Sequence, residues 1–379
     1  MTAMRRTSLS ATVVAAALAA TLTAPATALA RDRTAPQVLS SITLRQRVGQ
    51  VFMVGTPATA ASAATLAAIT DRSVGNVMLT GRSYGGTRTP ARVAATLQRR
   101  ATARTTRDVR LFVATDQEGG LVQVLNGAGI SDIPSALQQG RWRPARLRRA
   151  AGTWAGQLHD AGVNLDLAPV VDTVPSAAAA ATNPPIGVFD REFGFTPAVV
   201  GSHGRAFTLG MDRNGVAVSV KHFPGLGRVH ANPDTSTGVT DRVTHRHDPY
   251  LAPFRTAIAA GAPVVMMSTA YYPRLDARNP AAFSPFVIGT VLRGDLGFRG
   301  VVISDDLGDA RQVSPWSWGR RAVKFLAAGG NLVLTVDPAS LPAMYHAVLA
   351  RARHDPAFRA EVDTSALKVL AAKQSRGLL

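Results

Sequence analysis

The chain of 379 residues has no cysteine. This excludes disulfides, cysteine-bound zinc, iron–sulfur clusters, a thiol nucleophile and a lipid-modified N-terminal cysteine. Lysine is scarce: four of the 42 basic residues, the rest being arginine. Acidic residues number 24, so the formal net charge is +18. That sign suits anionic surroundings such as nucleic acid, anionic lipid or an acidic cell-wall polymer, and does not choose among them. Charged residues make up only 17% and hydrophobic ones 46%, too apolar for a disordered chain. Past residue 30 no stretch is long and apolar enough to span a bilayer.

Residues 1–30 carry Arg5 and Arg6 and no acid. A run of small apolar residues follows from Ala11 to Ala20, and the segment ends in Ala28-Leu29-Ala30. This pattern predicts a secretory signal peptide cut after Ala30. Thr23 and Pro25 interrupt the apolar run, which argues against the alternative of a retained anchor. The arginine pair hints at a twin-arginine route. Removing the segment takes away two arginines and leaves +16. Export turns the charge toward a cell-wall polymer and away from nucleic acid.

Eight short apolar runs recur in the remaining chain: Val48–Val54, Gly75–Leu79, Leu111–Thr115, Val163–Leu167, Val216–Val220, Pro263–Met267, Val301–Ile303 and Asn331–Val336. Each is nearly unbroken, as strands buried on both faces are. Helical spacing fills the intervals, as in Pro90–Ala103, Ala145–Ala161, Thr196–Asn214, Pro249–Ala260 and Trp316–Ala328. Glycines stand after several of these segments, where helices end. The alternation predicts an α/β fold, a single (β/α)₈ barrel, with a doubly wound open sheet as the alternative. Beyond the signal peptide, residues 31–379 read as one catalytic barrel domain, without a repeat or an interdomain linker.

In such a barrel, chemistry sits at the C-terminal ends of the strands. The third run leads into Asp116-Gln117-Glu118-Gly119-Gly120. Asp166 and Asp172 accompany the fourth, and Lys221-His222 the fifth. Ser268-Thr269 ends the sixth, and Ser304-Asp305-Asp306 the seventh. Carboxylates, arginine, lysine and histidine on one rim, with no metal signature and no cofactor motif, suit recognition of polyhydroxyl compounds and glycosidic cleavage.

The motifs D-Q-E-G-G at 116–120, N-L-D-L-A-P-V-V-D at 164–172, D-R-E-F-G at 190–194, K-H-F-P-G at 221–225 and G-V-V-I-S-D-D-L at 300–307 stand in one order. In that order the chain resembles glycoside hydrolase family 3, in particular single-domain bacterial β-N-acetylhexosaminidases. The resemblance implies a retaining β-glycosidase with Asp305 as nucleophile. It implies that Asp116, Arg191, Lys221 and His222 hold the sugar hydroxyls. The implied partner is a saccharide with a β-linked amino sugar, from cell wall or chitin. The protein is expected to act as a monomer, without nucleic acid.

Three departures accompany the resemblance. The branch carries Asp-Ser-His after its K-H-F-P-G-H-G, its histidine serving as acid/base. Here the loop reads Gly225-Leu226-Gly227-Arg228-Val229-His230-Ala231-Asn232-Pro233-Asp234-Thr235-Ser236. Asp234 matches the aspartate, but Ser236 stands at the histidine's place, and a serine hydroxyl is no proton donor near neutral pH. His230 and Asp234 are the candidates left in the loop. Leu121-Val122-Gln123-Val124 replaces R-V-Q-R, and Thr269-Ala270 replaces Ala-His. These departures leave a second reading open: a carbohydrate-binding pseudoenzyme of the same fold.

Overall fold

The computed structural model describes residues 1–2 and 33–379; the expected signal peptide and the cut after Ala30 lie outside the described residues. Eight strands are the frame: β1 Phe52–Pro57, β2 Asn76–Thr80, β3 Phe112–Thr115, β4 Leu165–Asp166, β5 Ala217–Phe223, β6 Val264–Met267, β7 Val301–Ser304 and β8 Val333–Thr335. They form one sheet in the order β7-β6-β5-β4-β3-β2-β1-β8, every pair parallel. A parallel bridge between Ile303 and Leu332 joins the two ends, and Ser304 N donates to Leu332 O at 3.0 Å. The sheet therefore curls into a (β/α)₈ barrel rather than remaining open.

Two strand expectations need correction. The run Val48–Val54 is not one strand: Leu44–Gln50 is a helix, and β1 starts at Phe52. Thr43 and Gln46 form a capping box there, Thr43 N donating to Gln46 Oε1 at 2.9 Å. That box nucleates a helix that β-branched content alone conceals. β5 runs on to Phe223, so Lys221 and His222 lie inside the strand, not beyond its end.

The expected helices fall on Arg88–Gln98, Pro144–Asp160, Pro197–Met211, Ala252–Ala259 and Trp318–Ala327. Gly162 and Gly215 follow two of them at φ 77° and 71°, a left-handed turn that a Cβ would disfavour. Two hairpins were not foreseen, Gln117–Gly119 with Val122–Gln123 and Tyr271–Tyr272 with Asp276–Pro280. Among the described residues no helix is long and apolar enough to cross a membrane.

Strand periodicity places the site. Successive side chains of a strand point to opposite faces. Phe112 and Ala114 on β3, Ala217 on β5, and Val301 and Ile303 on β7 pack in one apolar cluster inside the barrel. Val113, Val220 and Val302, of opposite parity, pack outward against the helices. The inward series ends in charge: Asp116 after Ala114, Lys221 beyond Ala217, Asp305 after Ile303. Each buried Val, Leu or Phe contributes about 1.5–3 kcal/mol, so the register is firmly set. A slip by one residue would drive these charges into the helix layer.

Candidate active site

A cavity of about 260 Å³ opens at the C-terminal ends of the strands. Met78, Leu167, Met266 and Leu334 rise from the barrel interior to form its apolar floor. Asp116, Arg191, Lys221, His222, Asp234 and Asp305 line its polar wall.

One side of the wall is a charge network. The Lys221 ammonium lies 2.6 Å from both Asp116 Oδ1 and Glu118 Oε1. Arg191 donates from Nε and Nη2 to the two oxygens of Glu118, at 2.8 and 2.7 Å, and from Nη1 to Pro185 O at 2.7 Å. Burial works to raise the Glu118 carboxyl, but Arg191 and Lys221 outweigh it and hold it at about 2. Burial likewise works against the Lys221 ammonium, and Asp116 and Glu118 overcome it, so the Lys221 pKa rises above its usual value. The wall thus presents fixed, ionised groups, which make the stronger hydrogen bonds to hydroxyls.

His222 is held from behind. Its Nδ1 lies 2.7 Å from Asp172 Oδ2, and Asp172 also accepts from the backbone N of His222 at 3.1 Å and of Leu226 at 2.9 Å. A carboxylate only accepts, so Nδ1 carries the proton and Nε2 is left for the cavity.

Asp305 follows the last residue of β7. Its backbone N donates to Met267 O at 3.2 Å and its Oδ1 accepts from Asp306 N at 2.9 Å. Asp306 has a different task. Its carboxylate accepts from Gly308 N at 2.9 Å, Asp309 N at 3.2 Å and Val336 N at 3.0 Å, tying the loop to the end of β8. Asp305 is the one of the two left to react. Burial, and then the negative charge of Asp234, push its carboxyl up to about 6, while His222 and Lys221 pull the other way.

The two acid/base candidates part company. Asp234, itself exposed, lines the same cavity as Asp305. His230 does not; it is exposed and lines a separate groove with Asn183 and Tyr250. The cause is local. Arg228 pairs with Asp248 at 2.8 Å and stacks over the Tyr250 ring at 3.5 Å, while Asn183 Nδ2 donates to Val229 O at 2.8 Å. These contacts pin the residues before His230 and turn its imidazole away. Ser236 is partly exposed, its backbone N bonded to Asn232 O at 2.9 Å.

Asp166 is also not on the rim. It is fully buried and does not line the cavity, accepting from Gln117 N at 3.1 Å, and burial raises its pKa well above the carboxylate norm. Of the departures, Leu121 is 62% exposed and Val124 is half-buried. Thr269 and Ala270 are fully buried. Glu118 and Asp172 stand among the rim carboxylates of the sequence but carried no assigned role in the site. Period-two alternation could have found Glu118, which shares a face with Asp116. Among the described residues no group of three or more His, Asp or Glu is placed to hold a metal ion.

Comparison with known proteins agrees with the barrel fold. Residues 43–372 match the model of the glycosyl hydrolase family 3 N-terminal domain. The chain is 35% identical to a β-hexosaminidase of Stenotrophomonas maltophilia (strain K279a) over 264 residues, 68% of this chain and 76% of that one. The crystal structure of a β-N-acetylhexosaminidase from Beutenbergia cavernae superposes with a TM-score of 0.87 at 51% identity, covering 88% of this chain and 98% of that one. A family 3 β-N-acetylglucosaminidase from Paenibacillus sp. superposes with a TM-score of 0.82 at 32% identity, covering 89% and 63%.

Proposed function

The chain belongs to glycosyl hydrolase family 3, as a β-hexosaminidase-like glycosidase, and on that premise we propose that it removes β-linked N-acetylamino sugars with retention of configuration. The observation that carries this reading is the pair of carboxyls, Asp305 and Asp234, facing one cavity. An oxygen of Asp305 attacks the anomeric carbon while the bond to the departing oxygen breaks, and Asp234 gives that oxygen its proton. Water then attacks the same carbon, Asp234 takes its proton, and Asp305 leaves. Asp116, Lys221, Arg191 and His222 hold the sugar hydroxyls through charge-assisted bonds. No cofactor is needed for either step.

Burial and then the negative charge of Asp234 raise the Asp305 carboxyl, so the two groups sense each other around the cavity. The test is the anomer released first from an aryl β-N-acetylglucosaminide, followed by NMR. A β-product supports retention; an α-product overturns it.

The reading extends to location. Export through the segment before Ala30, and retention at an anionic cell wall through the +16 charge that remains, would bring the enzyme to saccharides of cell-wall turnover.

A further inference from the structure

The Asp234 carboxylate has no hydrogen bond from any described residue, yet general acid catalysis needs its oxygen held to a fraction of an ångström. The backbone at Asp234 is held from the segment that follows Asp305. Arg311 N donates to Asp234 O at 3.1 Å, and Gln312 N donates to Pro233 O at 3.0 Å. The Gln312 side chain then reaches the far side of the same loop. Its Oε1 accepts from Val239 N at 3.0 Å and its Nε2 donates to Val239 O at 3.3 Å. Gln312 is 2% exposed.

A primary amide offers one donor group and one acceptor, as a peptide unit does. Gln312 therefore pairs with Val239 as a neighbouring strand would, and closes a bracket around residues 233–239. The bracket is fixed to the nucleophile's own loop. Beyond the three bonds of Asp306, Arg321 Nη1 donates to Leu307 O at 2.7 Å and Trp318 Nε1 to Gly308 O at 3.0 Å.

We propose that Gln312 is a positioning residue that sets the Asp234 carboxyl at working distance from Asp305. The proposal rests on the reading of Asp234 as the proton donor. It makes the two reacting groups hang on one frame: the loop after β7 carries Asp305 directly and Asp234 through Gln312. A misplacement of about 1 Å costs up to roughly 10²-fold in rate, and it should cost only the step that needs the acid.

The experiment uses the intact enzyme and two substrates. N,N′-diacetylchitobiose has a poor leaving group and depends on the proton; a nitrophenyl β-N-acetylglucosaminide leaves without it. Gln312→Met, of similar bulk but with no hydrogen bonds, Gln312→Glu, which keeps only the acceptor, and Asp234→Ala are compared. Asp234→Ala should lower kcat/KM on the disaccharide by about 10²–10⁴-fold and on the aryl substrate far less. Gln312→Met should show the same split at about 10–100-fold, with KM little changed, and Gln312→Glu a smaller one. If Gln312→Met fails to fold, Gln312→Glu carries the comparison. Equal losses on both substrates, or no loss in a folded variant, overturn the positioning role while Asp234→Ala still shows its split. If Asp234→Ala leaves both substrates at wild-type rates, the acid assignment itself fails and the proposal falls with it.

Discussion

Glu118 grips the guanidinium of Arg191 with both carboxylate oxygens, at 2.7 and 2.8 Å. Glu118 is buried and Arg191 largely so, and the same carboxylate neutralises Lys221. Its stabilising contribution is full above about 4.5 and is lost as pH falls toward about 2, because the folded-state pKa is lowered.

Glu118→Gln keeps the shape and removes the charge. Breaking a buried pair costs about 3–5 kcal/mol, so the unfolding midpoint should fall by roughly 5–10 °C. KM should rise, because Arg191 and Lys221 are no longer held in place. Calorimetry and steady-state kinetics check both, and an unchanged midpoint with unchanged KM would show that the arginine is held by other means.

Asp305 must be ionised to attack. With its carboxyl at about 6, kcat/KM should climb through pH 6 and level off above it. Asp234 is one cause of that elevation, so Asp234→Asn should move the rising limb to lower pH. The profile is best recorded with an activated aryl substrate. A limb that stays put, or moves up, contradicts the pairing of these two carboxyls.

Glu192 is fully buried, and neither of its oxygens has a hydrogen-bond partner among the described residues. Burial raises its carboxyl from 4.5 to about 7. A raised carboxyl stabilises the fold below about 4.5, and that benefit is lost as pH rises through about 7. Glu192→Gln stays neutral throughout. Its melting temperature relative to wild type should be higher at pH 8 than at pH 4, by an amount consistent with about 1–3 kcal/mol for an unsatisfied buried group. The same difference at both pH values would refute the assignment.

The N-terminal reading has its own test. Secreted protein should begin at Arg31, and its release from isolated walls should rise with salt, since the Debye length falls to about 3 Å at 1 M. Full-length protein confined to the cytoplasm would overturn export, and salt-independent retention would overturn the charge-based attachment.

Much of the barrel was legible because buried parallel strands write themselves as apolar runs. Seven of the eight runs fall on strands close to their expected bounds. The exception, Val48–Val54, shows what apolar content misses: Thr43 and Gln46 start a helix that takes in Val48 and ends before Val51. Asp116 and Asp305 could be read from their places just past strand ends, and Lys221 from its place after an apolar run that the strand in fact outlasts. Glu118 was within reach of period-two alternation from Asp116, whereas Asp172 could not be told from a capping residue until the fold brought it to His222. His230 was chosen for its chemistry, and the stacking of Arg228 on Tyr250, two residues upstream and twenty downstream of it, turned it away. Gln312 carried no signal at all, because its role lies in a contact with Val239, 73 residues away.

The central claim is that Asp305 forms the covalent link to the sugar. It is tested most directly by incubating the enzyme with a 5-fluoro-N-acetylglucosaminyl fluoride, whose slow turnover accumulates the glycosyl-enzyme, and sequencing the labelled peptide by mass spectrometry. The label should sit on Asp305 and be absent from Asp305→Asn. A label on Asp306 or Glu118, or an active enzyme that never acquires one, would contradict the account.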